Sequence, residues 1–396
     1  MASENPPPLD PARDTASLLR RLGVLVLMVA LPLSAAAFRV GPVVAYAVGI
    51  VLLGVAAFLD NSPRFLREST LAIASSPAFL AALLAFGWGA LSLVWTPTPG
   101  WRLAAGLGAI LLLGLCGIAA LPERMRSANL YPIPIGAGAL ALVAIGLAVL
   151  FWRDQSEERI RQLERMLAIL VLFAWPAIAW LRSRGRDAEA LALAVATAVA
   201  AALGPGPAPI LALAAGTLAH LAAQLTARAV PAVGLLLAAG LVASPALLAL
   251  AHALPLTPEA TAGVGRWHGL LLDQPARLLT GHGFGSLRAL PEAPALFGAP
   301  ALSLWYEFGV VGVLAVAVAI LSALARVPAL FGPLAPGIAG AGATAGMLGA
   351  SGIGGGALWW PAALATLALL FVAAQRGRFR TRRPRALADF VTKAGP

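Results

Sequence analysis

Hydrophobic positions come in long unbroken runs along this chain, and polar positions fall almost entirely in the short gaps between them. About 20 apolar residues in a helix cross the hydrocarbon core of a bilayer. Twelve runs approach that length: 22–38, 40–59, 77–95, 103–121, 133–152, 167–181, 188–203, 208–224, 230–250, 302–325, 334–353 and 357–374. Lipid offers no partner to backbone N–H and C=O groups, so such runs must be helices that satisfy those groups internally. No segment alternates apolar and polar residues with the period of a membrane strand, which argues against a β-barrel. The pattern predicts an all-α polytopic integral membrane protein of about twelve spans, covering 22–375. An N-tail over 1–21 and a basic C-tail over 376–396 flank it. One long loop, 251–301, separates the ninth and tenth spans.

Composition sharpens the class. Of 396 residues, 60% are hydrophobic and 11% charged, where soluble domains carry about 25% charged residues. The mean hydropathy is +0.86. This balance excludes a cytosolic enzyme, and the apolar content excludes a disordered chain. The single cysteine, Cys116, excludes a disulfide framework and a Cys-rich metal site. It reads as a small packing residue in an apolar run.

The net charge of +11 could suggest nucleic acid in a soluble protein. Here the placement of the charges matters more. With the N-terminus inside, nineteen of the 28 Lys and Arg residues fall on the inner segments and nine on the outer ones. That bias satisfies the positive-inside rule for an even number of spans, with both termini cytoplasmic and loop 251–301 on the outside. The arginines from Arg376 to Arg385 suit anionic headgroups of the inner leaflet, or simply anchor the last span. The expected partners are therefore membrane lipids and no nucleic acid. Residues 1–19 lack an apolar h-region and a cleavage site, so the first span is expected to serve as the insertion signal.

Two segments carry enough polar residues for chemistry. The stretch 153–165, RDQSEERIRQLER, reads as a solvated or interfacial helix with Glu157 and Arg161 one turn apart. The longer one, 251–301, holds His252, His268 and His282, the acids Glu259, Asp273 and Glu292, and the arginines Arg266, Arg277 and Arg288. A connection that long tends to be functional when ordered. Trp267 and the apolar Leu270–Leu272 stretch predict short helices folded back on the membrane surface. Arginine forks bind phosphate oxygens, histidine can serve as a base near neutral pH, and aromatic faces stack on sugars. The mixture suits an anionic, sugar-bearing ligand. Gly281-His282-Gly283-Phe284-Gly285 lacks the strand, the Lys-Ser/Thr and the spacing of a nucleotide loop, and reads as a turn that lets backbone come close. Glu307, at the start of the tenth span, faces a cavity or a cation, or is a helix-start carboxylate near water. His220 stands alone in an apolar helix and reads as a buried, hydrogen-bonded neutral imidazole. No His/Glu spacing resembles a zinc site.

Three phrases, taken in order, resemble the bacterial O-antigen ligase and O-antigen polymerase superfamily. Ser92-Leu93-Val94-Trp95-Thr96-Pro97 ends the third span. Trp267 precedes Gly281–Gly285, which runs on into Ser286-Leu287-Arg288-Ala289-Leu290-Pro291. Ala301-Leu302-Ser303-Leu304-Trp305-Tyr306-Glu307-Phe308-Gly309 opens the tenth span. The resemblance covers roughly 22–375. It implies a GT-C-like fold of twelve spans in the bacterial inner membrane, and a periplasmic active site. It also implies transfer of a glycan from undecaprenyl diphosphate to a glycan or lipid acceptor, without metal or other cofactor. In that frame His282 or His268 would act as base. Arg266, Arg288 and, less centrally, Arg277 would neutralise the diphosphate, and Trp267 would meet the substrate. Glu307 would orient an arginine or the histidine. The chain departs from the family where a histidine usually precedes the third phrase: residues 296–301, LFGAPA, carry none. A non-catalytic glycan-binding or scaffolding homologue is therefore the alternative. A transporter is a second one, opposed by the near absence of charge at mid-span.

Overall fold

A computed structural model describes residues 11–97, 100–151, 156–254, 258–272, 274–290 and 299–377. Every regular element among them is helical. In chain order the helices are α1 (Pro11–Ala37), α2 (Gly41–Asp60), α3 (Pro63–Ala74), α4 (Pro77–Leu91), α5 (Trp101–Ala120), α6 (Pro132–Leu150), α7 (Glu157–Ser183) and α8 (Asp187–Ala202). They continue as α9 (Ala208–Leu225), α10 (Ala229–His252), α11 (Pro258–Leu272), α12 (Arg277–Thr280), α13 (Pro300–Ala325), α14 (Ala335–Ala350) and α15 (Trp359–Arg376), with a short helical turn at Val327–Phe331 between α13 and α14. By length and composition, nine helical stretches among the described residues can cross a membrane, the last of them spanning Pro300–Ala350. This is the architecture of an all-α polytopic membrane protein.

Local chemistry explains the element ends. Ser62 and Ser76 cap α3 and α4, accepting from the N–H groups of Phe65 and Phe79, and a proline opens each helix. In α1, Pro32 has no N–H to offer Met28 and its ring crowds that carbonyl. The chain widens there into a π-turn over Val26–Ala30.

The core lies around α7. Residues Met166–Leu181 are buried without interruption, and such a helix, apolar all round, belongs inside a bundle. α6, α8, α14 and the end of α1 surround it. A second cluster, with Leu241, Trp267, Leu287, Trp305 and Tyr306, packs α10, the loop and α13 together.

Several boundaries differ from the pattern. α1 begins at Pro11, inside the expected tail, where Arg20 reaches Asp60 at 2.7 Å. The charged segment 157–165 is helical and exposed over 157–159 and at Arg161, as its pattern suggests, but it is the first part of α7 and runs on without a break into the buried span. α3, with none of its residues buried, lies between the second and third expected spans. The loop does contain helices, α11 and α12. Pro6-Pro7-Pro8, Arg153, Asp273, Glu292, the stretch 296–298 and the basic run beyond Gly377 lie outside the described residues.

Candidate functional site

The site begins with a broken helix. α13 is interrupted at Gly309, whose φ of 61° and ψ of −164° are nearly glycine's alone. The break releases carbonyls that an intact helix would use. The carbonyl of Tyr306 accepts from the N–H of His282 at 2.8 Å, and that of Glu307 from the N–H of Gly283 at 3.0 Å. The indole Nε1–H of Trp88 donates to the carbonyl of Phe308 at 2.8 Å. A Cβ at Gly309 would sit 2.6 Å from the Leu279 carbonyl oxygen. Loop 281–285 thus docks, backbone to backbone, into the gap in α13.

The end of α4 holds the loop from its other side. The Ser92 hydroxyl accepts from the Phe284 N–H at 2.9 Å and donates to the Gly89 carbonyl at 2.7 Å. The Thr96 hydroxyl donates to the Phe284 carbonyl at 3.1 Å. Gly283 is tight against this segment, for a Cβ there would lie 2.7 Å from that of Thr96. The three phrases singled out in the sequence therefore meet in one place.

Beside them lies a cavity of about 300 Å³, lined by Glu307, Arg288, Phe284, Leu304 and the glycine turn Gly354–Gly356. The N–H groups of Gly285 and Leu287 bond to the Glu307 carboxylate, and the Arg288 charge acts on it. Arg288 is exposed and its Nη2 donates to the Gly356 carbonyl across the cavity. Gly352, Gly354 and Gly356 all have positive φ. This wall escaped the sequence reasoning; the run Gly352-Ile353-Gly354-Gly355-Gly356 was the signal that could have revealed it.

His282 stands next to the cavity wall. Its ring stacks on that of Tyr306, with centroids 4.1 Å apart and planes 10° from parallel. Nδ1 lies 3.2 Å from the Tyr306 carbonyl oxygen, and Nε2 lies 3.2 Å from Oε1 of Gln274. Both neighbours are carbonyl oxygens, which only accept, and a neutral ring can donate to one of them; turning the Gln274 amide so that its N–H2 faces the ring leaves Nδ1 with the proton and Nε2 with the lone pair. Burial lowers the His282 pKa from its ordinary value and the Arg277 charge lowers it further, while the bond to Tyr306 works the other way. In that arrangement the neutral imidazole, oriented through Nδ1 and with its Nε2 lone pair beside Gln274, has the form of a general base.

The other expected residues are distributed differently. Arg277 is exposed on α12, close enough to His282 for its charge to be felt. Arg266 is exposed on α11. His268 stacks on His252, with centroids 4.2 Å apart, and so joins α11 to the end of α10. Trp267 is 5% exposed in the cluster with Trp305 and Tyr306, the position of a packing anchor. His220 is buried and hydrogen-bonded at the far end of the bundle. Among the described residues, no three His, Cys, Asp or Glu side chains come together as a metal site. No protein-family model and no curated protein sequence matches the chain.

Proposed function

We propose that this protein is a glycosyltransferase of the O-antigen ligase and polymerase type, acting on an undecaprenyl-diphosphate-linked glycan at the outer face of a bacterial inner membrane. The single observation that carries the reading is the convergence of the three phrases around the cavity of Glu307 and Arg288, with His282 beside it. In this reading the bundle has twelve spans, the helices α8, α14 and α15 completing the set, and both termini are cytoplasmic. The arginine bias of the loops supports that orientation.

Each side chain then has a task. Arg288 and Arg277 pair with diphosphate oxygens, whose charge grows as the leaving group departs. The acceptor hydroxyl oxygen attacks the anomeric carbon and forms the new glycosidic bond. The bond from that carbon to the diphosphate oxygen breaks, and Nε2 of His282 takes the hydroxyl proton. Glu307 is a positioning residue: it fixes the turn that carries Arg288. The missing histidine at 296–301 supports the second reading, in which the same cavity binds lipid-linked glycan without turning it over.

The test is deletion in the host, complemented with His282→Ala, His268→Ala and Arg288→Ala, with surface polysaccharide resolved on a gel. The enzyme reading expects deletion to remove long-chain polysaccharide. It also expects His282→Ala and Arg288→Ala, made at normal levels, to fail in restoring it. Restoration by every variant overturns the catalytic assignment and favours the binding reading. An unchanged glycan pattern with altered uptake of a small solute favours transport.

A further inference from the structure

At the end of the bundle opposite the loop, α7, α8 and α9 enclose a cavity of about 550 Å³. Its walls are Ile178, Ala190, Ala194, Ala198 and Leu213, with Arg182, Asp187 and His220 at one end. From Asp187 to Ala198 the wall follows α8 for three turns, roughly 16 Å at 1.5 Å per residue. The hydrocarbon of one leaflet is about 15 Å deep. Leu191 and Val195 also line the cavity and are 66% and 54% exposed, so it opens sideways toward lipid. A second cavity, of about 510 Å³, adjoins the far side of Arg182, where Gln224, Pro328 and Pro336 line it. Arg182 therefore stands where a leaflet-deep apolar slot meets a separate chamber beyond the helix ends.

The hydrogen bonding there has more donors than acceptors. Arg182 Nη1 lies 3.0 Å from Nε2 of His220, and the Gln224 amide nitrogen lies 2.6 Å from the same ring atom. One lone pair faces two donors. A guanidinium has no acceptor, so His220 cannot turn an N–H toward it. Arg182 Nε goes to Asp187 at 3.3 Å, and Nη2 has no hydrogen-bond partner among the described residues. Gln224 and Arg182 are thus supplied with N–H groups that an added anionic oxygen would satisfy. Asp187, its side chain 70% exposed, is the carboxylate that pairs with Arg182.

We propose that this junction is a binding site for an anionic phospholipid. One acyl chain fills the slot between α7, α8 and α9, and the phosphate sits on Arg182 and Gln224 with its headgroup in the adjoining chamber. The site is independent of the glycan reading, since it shares no residue with the cavity of Glu307.

The experiment uses the full chain, purified in detergent and exposed to vesicles of equal phosphatidylglycerol and phosphatidylcholine. Retained lipid is then counted by native mass spectrometry. The wild type is expected to keep phosphatidylglycerol in preference, and Arg182→Gln to retain it about tenfold less well. Ala198→Phe fills the slot without touching a charge and is expected to lose the lipid while keeping the wild-type melting temperature. That variant decides the matter should Arg182→Gln fail to fold. Inorganic phosphate in excess is expected to leave the lipid in place. Equal retention of the two lipids, full retention by Ala198→Phe, or displacement by phosphate alone would each overturn the proposal.

Discussion

The two ends of the bundle are held together by different chemistry. At the loop end, the contacts that fix the geometry are largely made by main chain: His282 and Gly283 on the released carbonyls of α13, and Phe284 on Ser92 and Thr96. At the other end, charged side chains do the tying. Arg20 pairs with Asp60 at 2.7 Å, Arg21 donates to Asn129 at 3.0 Å, Arg184 donates to the Gly377 carbonyl at 2.5 Å, and Arg376 donates to the Leu121 carbonyl. The difference separates anchoring from recognition. An end clamped by its own arginines has committed most of those groups to the chain. An end built from glycine turns fixes the backbone and leaves Glu307 and Arg288 at a cavity wall.

That contrast can be broken most severely at Gly309. A Cβ there imposes a backbone strain of about 2 kcal/mol and a clash of similar size, so Gly309→Ala should destabilise the docked loop by about 4 kcal/mol. The amides of His282 and Gly283 would then exchange with deuterium about a thousandfold faster. Exchange unchanged in this variant would mean that the helix break does not hold the loop. The opposite end should respond to Asp60→Ala. Arg20, whose side chain is 6% exposed, would lose its charge partner. The expected loss is about 3 kcal/mol, read as a lower melting temperature in detergent. Loop-end exchange should stay at its wild-type rate. Ser92→Ala sits lower on the scale. It leaves the buried Phe284 N–H without an acceptor, a loss of about 1–2 kcal/mol confined to amides of 281–286.

How much of this could be read from residues alone varied with the kind of force. Burial of apolar area is additive along a chain, so the spans were legible: 40–59 was expected where α2 runs Gly41–Asp60, and 208–224 where α9 runs Ala208–Leu225. At α7 the charge pattern correctly marked 157–161 as solvent-facing, but it did not reveal that the same helix continues without a break into the core from Met166 on. α3 was invisible because its 12 residues are too few for a span and its apolar stripe is narrow. At the site, the order of the three phrases was readable. Their convergence was not, because Phe284 meets Ser92 through a backbone N–H 192 positions away, and backbone groups leave no residue-type signature. Trp267 was expected to meet substrate. Which face of α11 packs against Trp305 depends on how the loop docks, and no local pattern encodes that.

The smallest effect expected is also the most diagnostic of the loop end, because no corresponding titration is expected from the arginine clamps. Burial holds His282 below its ordinary pKa of 6.5. Between the docked value and 6.5, the undocked loop binds a proton that the docked loop does not. Docking stability therefore rises with pH through that window. It is fully present above 6.5 and is lost progressively as acid brings the pH down toward the docked pKa. The His282 contribution to exchange protection of 277–290, read as wild type minus His282→Phe and corrected for the intrinsic pH dependence, should accordingly be greater at about pH 8 than at about pH 5. His282→Phe keeps a ring to stack on Tyr306 but removes the titrating nitrogens; the Glu307 carboxylate, which holds the Gly285 and Leu287 N–H groups, is common to both proteins, so the variant should lack only the His282 component. A wild type whose pH dependence matches that of the variant would show that the His282 ring is solvated on both sides. The loop would then owe its position to the backbone bonds alone.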